Sequence, residues 1–304
     1  MLNLKLIFFQ LIFCLSLIFF FNYCQAAVLY LEPEKGEYQI NDTFIVDIKI
    51  DAEKECVNTI EAILKFSPEF LKIIDFSQGN SFLVIWLQSP KINQEEGTVS
   101  FIGGVPGGYC GKLSGDPGEN NLLGKIIIQA EKIGETSINF SNNSQVLLND
   151  GQGTPVNLTT KQAIFTILPG KLEELKNEWQ ENLATDKTPP ELFKAEINQD
   201  TEIFEGKYFI TFNATDKQTG IDYYEVKEGK RSWKKAESPY LLEDQSLKSI
   251  IEIKAVDKAG NERLFQITPE IKTLQKQSPY EIIALILLLI VVVIILWLAK
   301  KNKK

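Results

Sequence analysis

The polar and apolar positions of this chain alternate over long stretches. In TFIVDIKID (43–51), Phe44, Val46, Ile48 and Ile50 fall on one side, and Thr43, Asp47, Lys49 and Asp51 on the other. A repeat of two is the mark of a strand with one buried face. Further strands are predicted over 57–66, 71–76, 82–87, 98–103, 122–130, 136–140, 145–150 and 162–168. Ser67-Pro68, Gln78-Gly79-Asn80, Gly134 and Asn149-Asp150-Gly151 punctuate them as turns. Nine short strands with almost no helical pattern predict an all-β domain over 27–168, a β-sandwich or jelly roll.

The pattern then changes. In KLEELKNEWQENLATDK (171–187), Leu172, Leu175, Trp179 and Leu183 recur at helical spacing, which predicts an amphipathic helix within a linker over 169–188. Alternation returns in YFITFNATD (208–216) and IIEIKAVD (250–257), and DKAGN (257–261) reads as a turn. Residues 189–270 are therefore expected to form a second, smaller β-sandwich of immunoglobulin-like type.

Both ends are continuously apolar. Residues 1–26 have a basic start, an apolar block from Leu6 to Phe21, and Cys24 and Ala26 at the −3 and −1 positions, the pattern of a secretory signal peptide cut after Ala26, with an uncleaved N-terminal anchor as the alternative. Ile282 to Ala299 is uncharged and long enough to cross a bilayer, with Tyr280 and Trp297 at its margins. The expectation is a transmembrane helix over 280–299 followed by the cytoplasmic basic tail KKNKK (300–304). The chain is then single-pass in the cell membrane, with everything before the helix extracellular.

Composition removes several chemistries. The chain has no histidine, which excludes Ser-His-Asp and Cys-His catalysis and histidine-ligated zinc. Residues 27–279 carry 27 basic side chains against 39 acidic ones, a net charge of −12, so nucleic acid is not an expected partner. No cofactor motif is found. Removal of the signal leaves two cysteines, Cys56 and Cys110, in an oxidising compartment, which predicts one disulfide.

FIGGVPGGYCGKLSGDPGEN (101–120) holds seven glycines and a Gly-Lys pair. Position 106 is Pro and position 113 is Leu, so the spacing and the hydroxyl of a phosphate-binding loop are missing. An irregular surface loop tethered by Cys110 is expected instead, and such loops often carry recognition. The candidate binding residues are Trp86 and Tyr109, whose rings suit sugars, and Asp116 and Glu119. Trp86 also reads as core, because it lies in an apolar strand. Asp116, Glu119 and Asn120 offer oxygens of the kind calcium takes, but without an EF-hand pattern they read as a solvated acidic loop, and no metal is assigned.

Residues 30–76 resemble the opening of a cohesin domain. The likeness lies in Asn41-Asp42-Thr43-Phe44, Ile60-Glu61-Ala62 and Phe66-Ser67-Pro68-Glu69-Phe70-Leu71, and continues in Gly97-Thr98-Val99, Leu122-Leu123-Gly124-Lys125-Ile126 and Gly134-Glu135-Thr136-Ser137-Ile138. It covers about 28–168 and implies a nine-stranded jelly-roll sandwich, shared with some carbohydrate-binding modules. It also implies a non-catalytic protein that holds polysaccharide or a dockerin, a small calcium-loaded module on a partner enzyme. The Cys56/Cys110 pair and the glycine-rich loop depart from the usual dockerin-binding type. Asp216, Gly220-Ile221-Asp222-Tyr223-Tyr224 and Ala255 to Asn261 look like a bacterial immunoglobulin-like or fibronectin-III-like module, which implies a spacer. The expected function is a surface-anchored binding protein. The alternative is a structural or adhesion stalk without a specific ligand.

Overall fold

The structure is a computed structural model that describes residues 27–53, 55–111, 121–170 and 175–269. The expected signal peptide, the transmembrane helix and tail, and Asp116, Glu119 and Asn120 lie outside these residues.

Among the described residues, the first unit holds twelve strands. They are β1 (Ala27–Glu32), β2 (Lys35–Gln39), β3 (Thr43–Asp51), β4 (Val57–Lys65), β5 (Leu71–Ser77), β6 (Ile85–Asn93), β7 (Thr98–Tyr109), β8 (Leu122–Ala130), β9 (Gly134–Phe140), β10 (Gln145–Leu148), β11 (Leu158–Thr160) and β12 (Ala163–Leu168). One sheet runs β11-β1-β3-β8-β5; the other runs β2-β12-β9-β4-β7-β6, with β10 also on β4. The two inner faces make one core, in which Phe44, Phe101 and Phe165 are fully buried. Tyr38 stacks on Phe44 with ring centroids 3.7 Å apart, and Phe165 closes the group at 5.3 Å from Phe44. Each such side chain stabilises the fold by about 1.5–3 kcal/mol through removal of apolar surface from water.

The nine strands expected become twelve for local reasons. β1, β2 and β11 are added to the expected set; Pro33 has no N–H to give a ladder, and the chain changes sheets there, which divides 27–39 between β1 and β2. The strand expected over 82–87 is displaced to Ile85–Asn93. It runs through Pro90, which a sheet edge with register shifts at Trp86/Gln88 and Gln88/Lys91 accommodates. The glycine-rich stretch is not loop throughout. β7 continues through it to Tyr109, paired with β4 from Thr98↔Lys65 to Gly104↔Thr59 and, after a register shift, at Tyr109↔Val57. Gly103 leaves room inside that strand for the buried Leu83, whose Cδ1 would lie 2.5 Å from a Cβ there.

The connector forms helix α1 (Glu178–Thr185), shorter than the predicted one. Lys176 is taken by the first unit: its carbonyl accepts from Thr43 N at 2.8 Å, and its N–H donates to Asp42 Oδ1 at 3.0 Å. Asn177 then caps the helix, accepting Gln180 N at 2.9 Å. Glu178 accepts the β3 amide of Ile45 at 2.9 Å, and Trp179 is buried.

The second unit consists of β13 (Lys194–Gln199), a 3₁₀ turn (Phe204–Gly206), β14 (Tyr208–Asn213), β15 (Ile221–Glu228), β16 (Lys234–Ala236), β17 (Tyr240–Leu241), β18 (Ile251–Asp257) and β19 (Glu262–Ile267). Its sheets are β13-β14-β17 and β16-β15-β18-β19. They enclose a separate core that includes Ile210, Phe212, Val226, Ile251 and Ile253.

Candidate functional site

Three surfaces carry chemistry. The first is the end of the large unit where β7 finishes. Cys56 and Cys110 are disulfide-bonded across 54 residues, as expected. The bond is reinforced by Asn149, whose N–H donates to Cys56 O at 2.7 Å and whose Nδ2 donates to Gly107 O at 2.9 Å. Tyr109 stacks on Phe82 at 4.4 Å, so one face of its ring is taken. Trp86 is half-buried and packs against Phe76 and Phe101 at the core margin. Beside them Val84, Ile85 and Leu87 are 39%, 45% and 68% exposed. A cavity between Ser81, Leu83, Trp86 and Asn213–Asp216 holds about 10 Å³. That is room for about one water, against the hundreds of Å³ that a small-molecule site takes.

The second surface is the outer face of β4, β7 and β6. The register Glu61↔Ile102, Ile63↔Ser100 and Gln88↔Ile102 puts these residues on one side of the sheet. Ile63 and Ile102 are half-buried and lie diagonally across the β4–β7 pair, within side-chain reach. Gln88 Nε2 donates to Ser100 Oγ at 3.3 Å, and Glu61 and the exposed Lys91 flank the group. The result is a mixed area with two isoleucines among amides, hydroxyls and both signs of charge.

The third feature is a carboxylate group shared by the connector and the second unit. Asp186, Asp216 and Asp257 are 1%, 5% and 1% exposed, and one oxygen from each lies within 4.8 Å of the others. Each organises its own segment. Asp186 accepts Thr219 Oγ1 at 2.6 Å and Thr188 N at 3.0 Å. Asp216 Oδ1 accepts the N–H groups of Gln218 and Gly220 at 2.9 and 2.8 Å. Asp257 accepts Asn261 N at 2.8 Å and Nδ2 at 2.9 Å. Burial pushes the Asp257 carboxyl above its ordinary range, Asn261 opposes this, and the charges of Asp186 and Asp216 add to the rise. Burial acts the same way on Asp186, but the hydrogen bonds from Thr219 and Thr188 outweigh it and hold that carboxyl low. An all-oxygen set of this kind is what a hard divalent cation takes, and it would supply three of the six to eight oxygens calcium uses.

No family model matches the chain, and no curated protein does. Among solved structures, it is similar to several cohesins. One is the cohesin of a type I cohesin–dockerin complex from Clostridium thermocellum, at 10% identity and TM-score 0.37, with 47% of this chain and 95% of that one covered. A second is the seventh ScaB type I cohesin from Pseudobacteroides cellulosolvens, at 15% identity and TM-score 0.39, with 49% and 97% covered. A third is a cohesin module of a Clostridium perfringens family 33 glycoside hydrolase, at 14% identity and TM-score 0.35, with 48% and 97% covered. At these values no residue role is carried over from any cohesin.

Of the four residues singled out in the sequence, Trp86 and Tyr109 lie at the same end of the sandwich but each makes its ring contacts within the protein. Ile63 and Ile102 escape sequence reasoning because alternation shows that they oppose the core side without showing that β4 and β7 are neighbours. The carboxylate group joins residues 30 and 41 positions apart; each opens a local turn, at Asp186–Thr188, Asp216–Gly220 and Asp257–Asn261, but nothing in the sequence shows that the three meet.

Proposed function

We propose that this chain is a non-catalytic binding protein whose first unit docks a dockerin-bearing protein on the outer face of β4, β7 and β6. The second unit serves as an immunoglobulin-like stalk, and residues 280–299 anchor it in the cell membrane with the sandwiches outside. The observation that carries the choice of a protein partner is the mixed face around Ile63 and Ile102, two half-buried isoleucines bordered by polar side chains. An interface core of this kind, apolar at the centre and polar at the rim, suits another folded surface.

A sugar needs an open aromatic face to stack on. Among the described tryptophans, Trp86 is packed at the core margin, Trp179 is buried, and Trp233 has Lys227 and Lys254 at 5.3 and 4.9 Å from its ring centroid. These placements favour the protein partner over polysaccharide. The sequence resemblance to cohesins supports the same reading.

The test immobilises the full chain in detergent micelles and passes over it the secreted proteins of the source organism. The expected result is retention of proteins that carry a dockerin, with release by a calcium chelator. Ile63→Asp with Ile102→Asp should lower that retention at least about tenfold, as loss of central anchors does. Retention of polysaccharide alone, or dockerin capture indifferent to the two substitutions, would overturn the proposal.

A further inference from the structure

The two sandwiches meet through backbone as well as side chains. The β5–β6 turn of the first unit, Gln78 to Asn80, faces the Asp216 to Gly220 segment of the second. A Cβ on Gly79 would lie 2.1 Å from Gln218 O and 2.6 Å from its carbonyl carbon. Gly220 has φ +83°, and a Cβ there would lie 2.8 Å from Gly79 N and 2.9 Å from Gln78 N. Two glycines therefore allow two main chains to touch where any side chain would hold them apart.

Directed bonds surround that contact. Ser77 Oγ, fully buried, donates to Thr219 O at 2.7 Å. Asn80 N donates to Asp216 O at 3.1 Å. Asn213 Nδ2 donates to Val84 O at 2.7 Å. Lys258 Nζ reaches both oxygens of Asp75, at 2.9 and 2.7 Å, with its side chain 14% exposed and that of Asp75 34%. The connector adds a further tie, since α1 bonds β3 through Glu178 while Asp186 beyond it bonds Thr219.

The segments of the second unit that make these contacts are not independent. Asp216 fixes 216–220, Asp257 fixes the turn that presents Lys258, and Lys258 N donates to Gly220 O at 3.0 Å. Movement of one contact must disturb the next.

We infer that the two sandwiches and the connector form a fixed joint and move as one rigid body. The joint is a built-in orienting device: it sets the direction of the β4–β7–β6 face relative to the second unit, whatever partner that face takes.

Hydrogen exchange on the full chain in detergent micelles tests this. Amides that open only with a cooperative unit exchange slowly, and those of a free loop do not. The Asn80 amide is expected to exchange at least about 100-fold more slowly than an unstructured reference. Gly220→Val should accelerate it at least tenfold while the amides of β4 keep their protection. If β18 also loses protection, the second unit itself has failed and the charged pair decides. Asp75→Lys should then accelerate Asn80, and Asp75→Lys with Lys258→Asp should restore slow exchange. Free-loop exchange at Asn80 in the wild-type chain would overturn the inference. So would an Asn80 amide that neither substitution alters.

Discussion

Tyr38 shows how one side chain links packing to pH. Its ring lies flat on Phe44 inside the core, and burial pushes its hydroxyl up to about 12, with the Glu178 charge adding to the rise. In the unfolded chain the group titrates near 10. Between these values the native state holds a proton that the unfolded state has lost, so stability falls as pH rises from about 10 to about 12. At pH 11 the loss from this group should be about 1 kcal/mol. Tyr38→Phe should unfold like the wild type at pH 7 and resist urea better at pH 11, and absorbance at 295 nm should show one late-titrating tyrosine fewer. Gly103 is a purely steric case. Leu83 is buried and occupies the place of the missing Cβ, so Gly103→Val should overpack the β6–β7 end and cost about 1–3 kcal/mol in a urea titration.

Strands differ in how much of themselves they write into the sequence. β3 is legible because four apolar side chains at period two meet one core and its turns are marked by Asn41-Asp42. β7 is half legible. Thr98 to Phe101 alternate, but the glycines that follow carry no periodicity; β4 pairs with Gly103 and Gly104 and again with Tyr109, across a register shift in which Gly107 and Gly108 take positive φ. β6 lies later than its pattern suggests because Pro90 reads as a stop, and an edge position makes that proline harmless. α1 begins late because tertiary bonds claim Lys176 before the helix can. The Cys56–Cys110 bond ties β4 to the end of β7. In the chain-entropy description, closing a loop of 54 residues adds about 4 kcal/mol. Cys56→Ser with Cys110→Ser should therefore lower the denaturant midpoint, and wild type treated with a thiol reductant should fall to the same value. A midpoint unchanged by either would mean that the β4–β7 ladder holds this end unaided.

Two sandwiches are readable from the change of pattern at 169–188, but their joint is not. Apart from the tie through the connector, its contacts come from a serine, two glycines, two asparagines and one ion pair, ordinary residues whose meaning depends on which turn faces them. The candidate binding face is hidden for the same reason, since strand pairing alone brings Ile63 beside Ile102. The described candidates that the sequence offers are rings, and the fold uses both for internal packing. The glycine contact has a consequence for inheritance. Atoms that obstruct a larger residue at 79 or 220 belong to the main chain opposite, which every amino acid shares. A lesion at either position should have no second-site suppressor at the other, whereas a reversal at Asp75 should be suppressed by the opposite reversal at Lys258. In descendants of this sequence the two glycines should stay put, while the ion pair drifts by paired exchange.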